Sequence, residues 1–84
     1  MPKRRQQLVI EIVRWSDAKV IYDMAEEGDL GGLGDIISVG HYIKEDENGV
    51  SIAQERHLDD GKLRDGTTIP KVNIIKRKKL KVWI

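Results

Sequence analysis

Lys71, Lys76, Arg77, Lys78, Lys79 and Lys81 fall between residues 68 and 84, a stretch that contains no acid. Ammonium and guanidinium groups at this density are the side chains that hold phosphate and carboxylate anions. Aromatic rings near such cations add a second chemistry, because a ring can stack on the π-face of a base. Trp15, Tyr42 and Trp83 are the candidates for that role. Each feature also has a plainer explanation. Lysines on the outward face of a strand are commonly only solvated. In a chain with two Trp, two Tyr and no Phe, packing of the core or of an interface comes before stacking.

The remaining reactive side chains point to no catalytic centre. The chain has no cysteine, which excludes a thiol nucleophile and a Cys/His zinc site. No serine sits in a nucleophile elbow. His41 and His57 lie in the two arms of an expected hairpin. Pairing Lys44 with Gly49 puts His41 opposite Ile52 and leaves His57 beyond, so the two do not form a metal pair. Asp59, Asp60 and Asp65 lack the spacing of a calcium loop and read as a polar turn. Residues 28–35, Gly-Asp-Leu-Gly-Gly-Leu-Gly-Asp, lack the Gly-Lys-Ser/Thr ending of a phosphate cradle and read as a connector. The expectation is a non-enzymatic protein with no catalytic residue, metal or cofactor.

Short strands must position these groups. Leu80, Val82 and Ile84 alternate with Lys79, Lys81 and Trp83, the period of a strand with one apolar and one cationic face. Residues 7–15 are so rich in β-branched and apolar types that they predict a strand covered on both sides. Leu8, Ile10 and Ile12 share one face, and Val9, Val13 and Trp15 the other. Ser16 and Gly28 are of types that cap a helix, and Ile21, Met24 and Ala25 fall at helical spacing, which predicts a short helix over residues 17–27. A short strand at Val20-Ile21-Tyr22 is the alternative. Residues 36–44 form a second strand with Ile37, Val39 and Ile43 on one face. Asn48-Gly49 marks a hairpin turn, and residues 50–57 return with Val50, Ile52 and Leu58 inward. Asp59-Asp60-Gly61 opens another turn, Asp65-Gly66 closes it, and a fourth strand starts at Thr67. Pro70 cannot donate to a ladder and marks a break or an edge. Lys71-Val72-Asn73 makes a tight turn, and the last strand starts at Ile74.

Eighty-four residues make one domain, residues 1–84, with 1–6 expected to be flexible. A chain this short buries only about 60–65% of its unfolded surface, so it needs a compact core or burial gained by self-association. The net charge of +1 gives no global pull toward nucleic acid. Charge is nonetheless segregated: residues 17–35 hold six acids and one base. The two segments either neutralise each other, within the fold or between subunits, or leave the basic one as an anion-binding face. Met1-Pro2-Lys3-Arg4-Arg5 is basic but no long apolar region follows, and no run approaches membrane-spanning length. The expectation is a cytoplasmic protein with no membrane partner.

Five strands, one short helix or turn insert and short turns predict a mainly β domain, a small curled barrel of the SH3-like or Sm-like kind. The break at Pro70 is where such barrels place a one-turn 3₁₀ helix. Ile12-Val13-Arg14-Trp15-Ser16-Asp17-Ala18 resembles the opening of a group of small phage and prophage proteins. Ser38-Val39-Gly40-His41-Tyr42-Ile43-Lys44-Glu45, Gly49-Val50-Ser51-Ile52-Ala53-Gln54-Glu55 and Ile69-Pro70-Lys71 with Ile74 and Ile75 resemble them too. The resemblance spans residues 8–80. It implies a viral or mobile-element origin, the host-cell cytoplasm, and an SH3-like or Sm-like barrel, but no settled activity. Residues 19–35 depart from the pattern.

Three functions follow as expectations. The first is a homo-oligomeric binding protein whose basic last strand holds nucleic acid or a nucleotide; the resemblance to RNA-binding Sm-like rings favours nucleic acid. A phage origin adds an anti-defence variant in which a signalling nucleotide is sequestered. The second is a protein-interaction or structural adaptor that pairs through a strand edge near Pro70 or through Val82-Trp83-Ile84. An enzyme of unrecognised arrangement is the third and the least supported.

Overall fold

The computed structural model describes residues 5–18 and 33–84. Five antiparallel strands form one sheet: β1 (Gln7–Ala18), β2 (Leu33–Glu45), β3 (Gly49–Arg56), β4 (Leu63–Pro70) and β5 (Ile74–Trp83). Their order across the sheet is β4-β3-β2-β1-β5, so β4 and β5 are its two edges and the sheet is not closed. A one-turn 3₁₀ helix, Lys71–Asn73, follows Pro70 and carries the chain from one edge to the other. The mainly β class, the turn at Lys71 and the start of the last strand at Ile74 agree with the sequence reading.

β1 is paired on both sides. It meets β2 from Ile10 opposite His41 to Ala18 opposite Leu33, and β5 from Gln7 opposite Trp83 to Trp15 opposite Ile74. Gln6 and Ile84 extend the second ladder by exchanging both backbone hydrogen bonds, at 2.6 and 2.9 Å. Ser16, Asp17 and Ala18 belong to this strand, which corrects the helix start at Ser16. The cross-strand ladder to Leu33, Gly34 and Asp35 overrides the capping tendency of one serine. The rest of the expected helix, residues 19–27, and residues 28–32 of the Gly-rich connector lie outside the described residues. Residues 33–35 are strand rather than connector.

The hairpin turn sits where Asn48-Gly49 placed it, but an aspartate holds it. The Asp46 carboxylate accepts the N–H groups of Asn48 and Gly49 at 2.8 and 3.0 Å, an Asx turn. Those two bonds stabilise the charged form and lower the Asp46 pKa. An irregularity between Tyr42 and Lys44 then shifts the register, so His41 faces Ala53 and Tyr42 faces Ile52. Gly40 lies where β2 approaches β3 closely: a Cβ there would stand 2.8 Å from the Ala53 carbonyl oxygen. β4 starts at Leu63, not at Thr67. Its Asp65-Gly66 turn signal survives only as a local twist, with Asp65 at φ 55°, a left-handed conformation that Asp tolerates better than most residues.

The core is small. Val13, Val50, Ile52 and Ile69 are buried, with Trp15, Tyr42 and Ile74 packed against them. Full burial of each such aliphatic chain contributes about 1.5–3 kcal/mol. The expected coverage of β1 on both faces is corrected. Only Glu11 and Val13 are closed from solvent; Val9 and Trp15 on their side, and Leu8, Ile10 and Ile12 on the other, are half-buried. Ile37 and Val39 also face outward, 67% and 55% exposed, and Leu58 is exposed rather than inward.

Candidate functional site

Register divides the six basic side chains of the C-terminal run between different surroundings. Lys79 stands beside Glu11 and Arg77 beside Val13, which places both on the buried side of the sheet. Lys76 and Lys78 stand beside Arg14 and Ile12, on the opposite, outward side. Over residues 79–82 the cationic side of β5, Lys79 and Lys81, is therefore the one turned toward the core, and Leu80 and Val82 are turned out with Lys76 and Lys78. One buried and one half-buried carboxylate, Glu11 and Glu45, make that inversion possible.

Glu11 is 0% exposed. Its Oε1 accepts Arg77 Nε at 2.8 Å, and Arg77 NH2 donates to the same oxygen. The guanidinium also reaches Glu45, with NH1 3.1 Å from Oε2 and NH2 3.1 Å from Oε1. Glu45 takes further bonds from Lys71 Nζ at 2.8 Å, Lys79 Nζ at 3.2 Å and the Tyr42 hydroxyl at 3.1 Å. Lys79 Nζ lies 4.1 Å from the centre of the Tyr42 ring, a cation–π contact. Arg77, then Lys71 and Lys79, hold the Glu45 carboxyl far below the ordinary value of 4.5. The same contact with Glu45 raises the Arg77 pKa. Lys71, Arg77 and Lys79 are thus engaged by the protein's own acids, and an external anion would have to compete with two carboxylates for them.

Lys76, Lys78 and Lys81 make no ion pair or hydrogen bond among the described residues. Lys81 lies beside Val9 near the end of the sheet. Lys76 and Lys78 rim a shallow depression of about 260 Å³ whose lining includes Ile12, Ile37, Arg14 and Arg77. Its floor is aliphatic and its rim cationic. Arg14 is anchored there by Asp35, with Nε 3.1 Å from Oδ1 and NH2 2.7 Å from Oδ2. That fork raises the Arg14 pKa and lowers that of Asp35. The structure so separates the expected anion set: Lys76 and Lys78 come together, while Lys71, Arg77 and Lys79 join the internal network.

The three rings are separated as well. Trp15 packs against the core and donates its indole N–H to Ser38 Oγ at 3.0 Å. Tyr42 is part of the Glu45 network. Trp83, opposite Gln7, is 53% exposed and is the ring of the three open to a ligand. His41 and His57 line one cleft of about 450 Å³ with Gln6, Tyr42 and Arg56, although their strands do not pair them. His57 lies 3.5 Å from Glu55, and its ring approaches the exposed Asp59 and Asp60 in the β3–β4 turn. Asp65 is not part of that group.

Sequence reasoning missed Glu11 and Glu45. Glu11 is the one acid within the apolar run of β1, and that interruption was the available signal. Glu45 reads as a turn residue, and nothing local reveals that three cations converge on it. The chain matches no family model, no curated protein and no solved structure.

Proposed function

We propose that this chain is a non-enzymatic, self-associating binding protein that takes a nucleotide or nucleic-acid phosphate on Lys76 and Lys78. The observation that carries the reading is a pair of lysines with no ion pair or hydrogen bond among the described residues, beside an aliphatic depression. Cations attract the phosphate, and Ile12 and Ile37 offer a surface for the flat, weakly hydrated face of a base. Of the expected stacking rings Trp83 is the exposed one, but it stands on the other side of β5 from Lys76 and Lys78, so the base rests on the aliphatic floor and not on a ring. The five strands and the 3₁₀ turn after Pro70 support placing the domain with SH3-like or Sm-like barrels, in an open form. A phage-type origin and the sequestering of a signalling nucleotide are special cases of this reading.

Titration of the protein with a single-stranded oligothymidylate and with a mononucleotide tests it. Replacing both Lys76 and Lys78 by Ala is expected to weaken binding at least tenfold. An extended strand gives a steep loss of affinity with salt, and a single nucleotide a shallow one. Equal affinities of the double variant and the parent protein sink the reading. The adaptor reading is favoured by a different observation, the aliphatic side chains that β1, β2 and β5 present to solvent.

A further inference from the structure

The ladder between β2 and β3 ends at His41–Ala53, although β2 reaches back to Leu33 and β3 runs on to Arg56. The strands part where β3 passes close to Gly40, and the gap between them is a cleft of about 460 Å³. Its near wall is Ile37, Ser38 and Val39 of β2, and its far wall includes Gln54 of β3 and Asp65 and Thr67 of β4. That volume lies within the range of small-ligand sites, about 300–1,000 Å³.

The polar groups of this cleft are available. Gln54, Asp65 and Thr67 make no side-chain hydrogen bond or ion pair among the described residues. Ser38 Oγ accepts the Trp15 indole N–H, and its own hydrogen has no acceptor among them. Gln54 and Asp65 fall across from each other, between the pairs Ala53–Gly66 and Glu55–Arg64, and the β3–β4 ladder skips them. Among the described residues Asp65 is also the one non-glycine residue with a positive φ. Sparsely populated conformations of that kind gather at binding sites.

Register joins the cleft to the lysine site. Lys76, Arg14 and Ile37 stand in one row across β5, β1 and β2, and Lys78, Ile12 and Val39 stand in the next. Both rows lie on the outward side of the sheet and run from a lysine to the near wall of the cleft. At strand spacing each row spans about 10 Å. Ile37 lines both the depression and the cleft.

We infer that the cleft takes one base of a single-stranded nucleic acid whose neighbouring phosphate lies on Lys76 and Lys78, and that it selects a base with an exocyclic amino group. The inference rests on the proposed function and deepens it, naming a strand as the ligand and Asp65 as the residue that reads it. The strand crosses the sheet along the two rows, with one base on the Ile12–Ile37 floor and the next beyond Ile37. Carboxylates, carboxamides and hydroxyls are the groups that read base edges, and an Asp accepts from the amino group of cytosine. Cytosine and adenine present that amino group beside an unprotonated ring nitrogen. The Asp65 carboxylate accepts from the first, and the Gln54 carboxamide donates to the second. Thymine presents a carbonyl oxygen in place of the amino group, and the carboxylate repels it.

Fluorescence anisotropy with oligodeoxycytidylate, oligodeoxyadenylate and oligothymidylate of equal length, at one salt concentration, tests the cleft. The parent protein is expected to hold the first two about fivefold or more tightly than the third. Asp65→Asn is expected to lose most of that preference while its thymidylate affinity stays level or rises, because Asn also tolerates a positive φ and one negative charge is gone. If that variant unfolds, Asp65→Gly, which is free at this φ, replaces it with the same expectation. Equal affinities of the parent for the three strands overturn the inference, as does a preference that survives loss of the carboxylate. Lys76→Ala/Lys78→Ala separates this inference from the reading beneath it and is expected to weaken all three strands alike. Equal affinities in the parent, together with that uniform loss, overturn the cleft and leave the lysine reading standing. A parent protein that binds none of the strands sinks both.

Discussion

Replacing Arg77 with Met is the most informative single perturbation of this fold. The methionine stem keeps most of the packing but removes the guanidinium that faces Glu11. Glu11 has no exposed surface, and its Oε2 has no hydrogen-bond partner among the described residues, so Arg77 is its compensating charge. Stripping one member from a buried ion pair costs about 3–5 kcal/mol, because the other is left uncompensated. A domain of this length has a total stability of roughly 4–13 kcal/mol, so the variant is expected to be partly or largely unfolded. Urea unfolding followed by the fluorescence of Trp15 and Trp83 measures the loss at a fixed protein concentration. With a slope of about 1 kcal/mol/M for a chain this small, the midpoint falls by about 3 M or more. The companion variant Glu11→Leu/Arg77→Met removes both charges and is expected to recover most of the loss, since apolar replacement of a buried pair is often neutral or better. A midpoint shift under about 1 M for Arg77→Met, or a double variant as unstable as the single one, refutes the view of Glu11 as a charge held in place by Arg77.

Two further outcomes follow from the geometry. The Glu45 pKa is lowered in the folded state, so its contribution is complete above the unfolded value of 4.5 and is lost as pH falls through the folded value. The protein should hold its stability from neutral pH to about pH 5 and lose it below. Glu45→Gln should flatten, without abolishing, the acid limb of the curve, because the lowered Asp35 and Asp46 groups still contribute. Parallel acid limbs in the two proteins would show that Glu45 does not contribute in this way. Gly40→Ala drives a methyl group to 2.8 Å from the Ala53 carbonyl oxygen, a backbone atom that cannot turn aside. Its expected cost is about 1–3 kcal/mol, read as a lower thermal midpoint; an unchanged midpoint would mean that β2 and β3 can separate there.

The strands of this fold were legible because their residues declare them locally. The apolar run of β1, the Asn48-Gly49 turn and the break at Pro70 each depend on near neighbours, and each fell within a few residues of its observed place. The direction in which β5 faces was not legible. Alternation in Lys79-Leu80-Lys81-Val82 shows that the strand has two unlike sides, but it does not say which one meets the core. That choice is made by Glu11, which is 66 residues from its partner Arg77. The same separation hid the candidate site. Six cations within residues 71–81 look equivalent in the chain, and only the register with β1 distinguishes Lys76 and Lys78 from Arg77 and Lys79. The register of β2 against β3 was missed at the turn itself: Lys44 pairs with Ser51 rather than Gly49, and the irregularity between Tyr42 and Lys44 then takes back one of those two residues, so that His41 meets Ala53.

Pairing of the first strand with the last also sets the order in which the molecule can be completed. While the chain is made, β1 and β2 can form their hairpin, and β3 and β4 can follow. The second edge of β1, however, stays open until β5 appears. During that interval an apolar strand with an unpaired row of backbone groups, and a glutamate still lacking its arginine, is exposed to other chains. Closing so long a loop is slow, and the unfinished species is the one most prone to aggregate. The hydrogen bonds between Gln6 and Ile84 suggest a remedy that leaves the finished fold alone. Joining the chain there with a short linker and opening it in the β3–β4 turn would make β5 and β1 neighbours in sequence. The permuted protein would form its central ladder as a local hairpin, early rather than last.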